Sequence, residues 1–214
     1  MLVTLSETNS IANHFIAEMR DVESQKDRMR FRKNLERLGE IMAYEISKTL
    51  DYQTQNIQTP LGISKTNLMV EHPVIMTILR AGLPFYNGFL NFFDKVDSGF
   101  IGAYRVERKG EIEISTDYMA TGSLSNKTLM LVDPMLATGK SIVSTLKKLL
   151  VFGEPSSIHL VSAIAAPEGI NYINENFDRA HTVWTGAIDD KLDENAYIVP
   201  GLGDAGDLSF GPKL

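Results

Sequence analysis

The chain has 214 residues, 43% of them hydrophobic, and a formal net charge of −6, enough for one α/β domain, residues 1–214, with its own core. Cysteine is absent, which excludes disulfides, thiolate metal sites and a cysteine nucleophile. The acidic balance argues against a nucleic-acid partner, and no apolar run is long enough to span a membrane. Met1 is not followed by a basic start and an apolar stretch, so no secretory signal is expected and a cytoplasmic location is.

In chain order, residues 10–19 are predicted helical, with Ile11, Phe15 and Ile16 apolar. A longer helix is predicted over 24–50, where Phe31, Leu35, Leu38, Ile41, Met42 and Ile46 form a core-facing stripe. Its basic cluster, Arg28, Arg30, Arg32 and Lys33, reads as a solvated face or a subunit contact. These helices carry more apolar surface than one small sheet can bury, so a homodimer or higher homo-oligomer is expected. Residues 57–65 read as strand and turn. Strands then alternate with helices, at 74–79, 100–106, 128–132, 157–164 and 181–185. That alternation predicts a mostly parallel sheet flanked by helices, with ligands at the carboxyl ends of its strands.

The strand over 74–79 ends in Leu79-Arg80-Ala81-Gly82. A guanidinium there, among small residues, can fork onto the oxygens of a diphosphate; a surface salt bridge is the plainer reading. Tyr104-Arg105 closes the next strand.

The run Leu129-Met130-Leu131-Val132-Asp133-Pro134-Met135-Leu136-Ala137-Thr138-Gly139-Lys140-Ser141 is the most informative. An apolar strand runs into an acid, then into a loop of small and hydroxylated residues, then into a helix with Ile142, Val143, Leu146, Leu149 and Leu150 at helical spacing. Such a turn aims backbone N–H groups and the positive end of a helix dipole at one spot, which favours a phosphate. Asp133 can accept hydrogen bonds from sugar hydroxyls. Thr-Gly-Lys-Ser matches the end of a Walker A loop, but the Gly that motif needs five positions earlier is Pro134.

Tyr197-Ile198-Val199-Pro200-Gly201-Leu202-Gly203-Asp204-Ala205-Gly206-Asp207 is too rich in Gly and Pro for a regular helix or a central strand. Its backbone can offer N–H and C=O groups at close range to the edge of a base. A glycine-rich closing turn is the plainer alternative. His14, His72, His159 and His181 are isolated and lack metal-ligand spacing, and Trp184 is expected to pack.

The run 129–141 resembles the phosphoribosyl-diphosphate (PRPP) signature of the type I phosphoribosyltransferases. With Pro134 after the acid it is similar to the uracil phosphoribosyltransferase branch, as are Ile-Leu-Arg-Ala-Gly-Leu, Ala165-Ala166-Pro167-Glu168-Gly169-Ile170 and Ile198 to Asp207. The resemblance implies the type I fold with a small β hood or arm, and synthesis of UMP and diphosphate from uracil and PRPP. It implies PRPP binding by Arg80, Arg105, Asp133, Pro134, Met135, Leu136, Ala137, Thr138, Gly139, Lys140, Ser141 and Asp204, with Asp133, Arg80 and Asp204 closest to catalysis. Uracil is expected against Ile198, Gly203, Asp204 and Ala205. Mg2+ is expected as the cofactor, carried by PRPP without a dedicated protein site, and GTP as an effector in part of the family.

Lys140 stands where the branch has a second Gly; it either adds a point charge beside the 5′-phosphate or solvates on the first helical turn. The hood, residues 106–126, lacks the usual Pro-Tyr and Lys-Leu-Pro patterns, with Tyr118 as its candidate aromatic. The tail after Asp207 replaces a usual basic residue and a Thr. Two alternatives share the PRPP loop: a transferase for another base, and a pyrimidine-nucleotide-sensing regulator.

Overall fold

A computed structural model describes residues 1–108 and 111–212, with side chains described outside 103–117. The described chain runs β1 (Leu2–Thr4), α1 (Ala12–Arg20), α2 (Arg28–Ser47), β2 (Tyr52–Thr59), β3 (Gly62–Met69), β4 (Val74–Leu79), α3 (Leu83–Leu90), β5 (Asp97–Arg108) and β6 (Glu111–Ala120). It continues with β7 (Thr128–Val132), β8 (Met135–Leu136), α4 (Lys140–Leu149), β9 (Ser157–Ala165), α5 (Pro167–Asn176), β10 (Thr182–Ile188), β11 (Lys191–Leu192), β12 (Ile198–Val199) and α6 (Ala205–Phe210).

The main sheet has the order β1-β10-β9-β7-β4-β5-β6, with the short β8 joining β9. Every pairing in it is parallel except β5 with β6. The central strands are apolar along their length because both sheet faces are covered. Successive side chains therefore enter different cores. Ile75 and Met130 join Phe31, Leu35, Phe85 and Phe89 on the face covered by α1, α2 and α3. Their neighbours Met76 and Leu131 join Ile142, Leu146 and Ile170 on the face covered by α4 and α5.

The predicted helix over 24–50 breaks at Asp27, whose carboxylate accepts the Arg30 N–H at 3.1 Å and caps α2. Its basic cluster is largely spent inside the chain: Arg30 pairs with Glu18 at 2.6 Å and Arg32 donates to the Ser209 carbonyl at 2.6 Å. The helix α2 crosses α3 where a Cβ on Gly39 would stand 2.3 Å from the Phe85 carbonyl oxygen and one on Gly88 would stand 2.1 Å from that of Glu36. The strand-and-turn at 57–65 is the middle of a longer hairpin, β2 with β3, both strands solvent-exposed. Its full length leaves little mark in the sequence because polar residues occupy both its faces, so there is no hydrophobic alternation. The strand β6, which was not anticipated, supplies the second half of the hood.

The strand order reverses between β4 and β7. From β4 the chain builds outward through β5 and β6; it then returns to the other side of β4 and builds outward through β7, β9 and β10. A crevice opens at the carboxyl ends of strands where the order switches. Arg80 and Asp133 are the residues immediately past the ends of those two strands.

Candidate active site

A cleft of about 700 Å³ occupies this switch point, with Arg80, Asp133 and Asp204 in its walls. The turn after β4 is held tight: Thr77 Oγ1 donates to the Val132 carbonyl at 2.8 Å, and a Cβ on Gly82 would stand 2.1 Å from Thr77 Oγ1. The Leu79–Arg80 peptide is cis. Arg80 Nη2 donates to Asp207 Oδ1 at 2.7 Å and to the Gly211 carbonyl at 2.6 Å. Its Nε is buried without a partner among the described residues.

Asp133 follows the end of the neighbouring strand β7. Its Oδ1 accepts the Met135 N–H at 3.3 Å. Protein surrounds the carboxyl except at its opening to the cleft, and this desolvation lifts its pKa from 3.8 to about 7, against the smaller lowering by the Met135 N–H. The next residues form β8 rather than an irregular loop. The Pro134 carbonyl accepts N–H groups from Ala163 and Ile164 at 3.1 Å each, and the Leu136 carbonyl accepts that of Ala166 at 2.9 Å. The loop then turns at Gly139, with φ +72°, into α4, which no side chain caps. Its first N–H groups are therefore available to an anion.

Met135, Leu136, Ala137, Thr138, Gly139 and Ser141 line the cleft. Pro134 and Lys140 do not: Pro134 is buried and serves the sheet, and Lys140 is exposed to solvent. Arg105 lies within β5, and its side chain falls outside the described residues, as do the other side chains through residue 117. Tyr118 is described and lines the cleft opposite Gly102.

The glycine-rich C-terminal run closes the cleft. Tyr197, Ile198, Gly203, Asp204, Ala205 and Gly206 all line it. Asp204 caps α6 by accepting the Asp207 N–H at 2.9 Å. A Cβ on Gly206 would stand 3.1 Å from Asp204 Oδ1 and 3.6 Å from Arg80 Nε, so both side chains lie close to a bare stretch of backbone. Glu168 ties the start of α5 to β11 by accepting the Leu192 N–H at 2.9 Å.

One support was missed from sequence: Arg20 and Asp189 together hold Gly201 of the C-terminal run, and a pairing across most of the chain has no local signature. Gly169, within the 165–170 run, packs tightly against the loop at Ala137.

An acid, an uncapped helix start, an arginine and an exposed backbone loop line one cleft at the carboxyl ends of a doubly covered, mostly parallel sheet, an arrangement chemically suited to a sugar phosphate. Comparison with known proteins narrows the class. A family model described as uracil phosphoribosyltransferase matches residues 6–212. A uracil phosphoribosyltransferase of Porphyromonas gingivalis is 46% identical over 214 residues, covering 100% of this chain and 99% of that protein. One from Thermococcus gammatolerans is 35% identical over 211 residues, covering 97% and 92% respectively. The solved structure of the AQ2163 protein from Aquifex aeolicus superposes with a TM-score of 0.87 at 32% identity, covering 99% of this chain and 98% of that one. The chain belongs to the uracil phosphoribosyltransferase family.

Proposed function

We propose that the cleft transfers the 5-phosphoribosyl group of PRPP to uracil, giving UMP and diphosphate. The observation that carries this reading is the meeting, in one cleft, of the Asp133–Ser141 wall and the Ile198–Gly206 loop in a chain matched by the family over nearly its whole length.

In this reading the N–H groups at the start of α4, with Thr138 and Ser141, hold the 5′-phosphate. Asp133 takes the ribose hydroxyls, and Arg80 neutralises the departing diphosphate, with Arg105 as its second cation. The bond from the anomeric carbon to the diphosphate oxygen breaks with its electron pair leaving on diphosphate. The bond from that carbon to uracil N1 forms, and the N1 proton passes to water or a backbone carbonyl. The protein's contribution is positioning and electrostatic stabilisation of the oxocarbenium-like centre. Asp204 orients PRPP, while Ile198, Gly203 and Ala205 frame the base. A base with the wrong donor–acceptor pattern would leave buried polar groups unpaired.

Among the described residues the carboxylates lining the cleft are Asp133 and Asp204, a sparse set that suits an ion held mainly by substrate oxygens and water. Mg2+ carried on the diphosphate would supply further charge neutralisation there.

A homodimer is the proposed assembly. Its support is the projecting hairpin of β2 and β3, which exposes Ile57, Leu61, Ile63 and Leu68; an isolated two-stranded hairpin is marginal without a surface to lie on. Among the described residues no helix is long and apolar enough to cross a membrane, and we assign the enzyme to the cytoplasm.

The test is Mg2+-dependent conversion of radiolabelled uracil to UMP with PRPP, beside cytosine, hypoxanthine and orotate, with and without GTP as effector. Turnover of uracil alone supports the reading. Turnover of another base in its place would overturn the assigned base, and absence of any turnover would favour a sensing role.

A further inference from the structure

Arg20, the last residue of α1, and Asp189, just past β10, form a two-pronged ion pair across 169 residues of sequence: Nη1 to Oδ2 at 2.8 Å and Nη2 to Oδ1 at 2.5 Å. The Asp189 side chain is 4% exposed. The pair also grips a single residue of the C-terminal run. The Gly201 N–H donates to Asp189 Oδ2 at 2.8 Å, and Arg20 Nη1 donates to the Gly201 carbonyl at 3.0 Å. Both backbone polar groups of Gly201 are thus satisfied by one ion pair. Gly201 itself has φ +60°, and a Cβ there would stand 2.0 Å from the Ile198 carbonyl oxygen. No other residue type fits this position without moving the loop.

We propose that Arg20 and Asp189 are positioning residues for base selection, acting through Gly201; this rests on the reading of Ile198–Gly206 as the base-binding loop. Ile198 lies three positions before the gripped glycine, and Gly203 two positions after it, so a shift at Gly201 displaces both halves of the base frame. The anchor beneath does not follow such a shift. The Asp189 N–H donates to the Ala165 carbonyl at 2.8 Å, which fixes Asp189 to the end of β9. The PRPP side has independent supports: Asp133 and the anion loop are held by β7, β8 and α4, and Asp204 is held by its own cap on α6. Loosening the clamp therefore acts on uracil rather than on PRPP.

The experiment compares wild type with Arg20→Lys, which keeps the charge but loses the fork, and with Arg20→Met/Asp189→Asn, which removes both charges so that no buried carboxylate is left unpaired. Arg20→Ala is assayed with and without a few millimolar guanidinium ion. We expect KM for uracil to rise about tenfold or more in the first two variants, with KM for PRPP within about threefold. Guanidinium should return the KM for uracil of Arg20→Ala toward the wild-type value. Equal rises in both KM values, unchanged KM for uracil, or a loss of thermal stability alone would reduce the pair to a structural tie and overturn the proposal. If Arg20→Lys and Arg20→Ala fail to fold, the charge-free double variant decides; failure of that variant as well would make the pair a folding requirement and overturn the proposal. Wild type that does not turn over uracil would instead remove the base-loop reading, and the proposal with it.

Discussion

Gly139 and Gly169 meet face to face where the anion loop enters α4: a Cβ on Gly139 would stand 2.6 Å from the Gly169 carbonyl oxygen. The contact is reciprocal along the loop, since a Cβ on Gly169 would stand 2.3 Å from the carbonyl oxygen of Ala137. The loop over 137–139, the proposed phosphate cradle, is thus seated on the first turn of α5 with no room for a side chain. Gly169→Ala keeps a helix-compatible residue in a helix, so its effect comes from displacing the cradle. KM for PRPP should rise about tenfold or more, with KM for uracil nearly unchanged. Steady-state kinetics with each substrate varied in turn checks this, and an unchanged KM for PRPP would show that the loop yields freely.

Asp133 gives a prediction whose sign differs from that of most carboxylates. Its pKa is lifted from 3.8 to about 7 by burial. Between pH 4 and pH 7 the unfolded chain has released this proton and the folded protein has kept it. Stability therefore falls as pH rises through that window, and the full cost is present above pH 7. Asp133→Asn removes the cost. Its stability relative to wild type should be equal near pH 4 and greater by roughly 1–4 kcal/mol at pH 8. Its activity should fall by about 10²-fold or more. Urea melts at the two pH values, beside the uracil assay, test both halves; a stability difference independent of pH would contradict the buried-acid account.

His159 acts in the opposite direction. It accepts the Trp184 Nε1 hydrogen on Nδ1 at 3.0 Å between β9 and β10, and burial lowers its pKa from 6.5 to about 4. Below pH 6.5 the unfolded chain takes up a proton that the folded protein refuses until about pH 4, so stability is lost as pH is lowered from 6.5 to 4. His159→Gln retains an acceptor for the indole and does not titrate. Melting curves from pH 7 to pH 4 should show a shallower decline in this variant than in wild type.

Arg80 already holds a carboxylate and a carbonyl, those of Asp207 and Gly211. A lysine in its place supplies one charge but no planar fork, so it cannot hold the tail and clasp a diphosphate together. Arg80→Lys and Arg80→Ala should both lower kcat/KM for PRPP by about 10²-fold or more, with the circular-dichroism spectrum unchanged. Near-normal turnover in both would move the leaving-group role to Arg105 and the hood.

The parts of this site that were legible in sequence are those built from contiguous residues. The run Leu129 to Ser141 declared itself because strand, acid, turn and helix follow one another without a gap, and β7 and α4 fall where its periodicity places them. Gly and Pro mark the irregular turn over 200–204, but their density argues against any regular helix in the run, whereas the structure starts α6 at Ala205 and pairs Ile198–Val199 as the short edge strand β12. The pairing of Met135 and Leu136 with β9 was not legible, since two residues have no period. The clamp on Gly201 was hidden for a different reason. Arg20 and Asp189 are ordinary charged residues in their own neighbourhoods and acquire meaning only when α1 packs beside the end of β10.

Lys140 tests whether the cradle works through backbone or side chain. It is the first residue of α4, yet it is exposed and outside the cleft, whereas Thr138, Gly139 and Ser141 on either side line it. The charge that attracts the phosphate then comes from uncapped N–H groups and the helix dipole, which an alanine leaves in place. Lys140→Ala should change KM for PRPP by no more than about twofold at 0.15 M salt, where water's high dielectric and added salt together weaken the pull of an exposed charge. The same variant at low salt should show a somewhat larger rise, because screening then weakens. A tenfold rise at 0.15 M salt would mean that the side chain folds over the bound phosphate, and the solvated reading would be wrong.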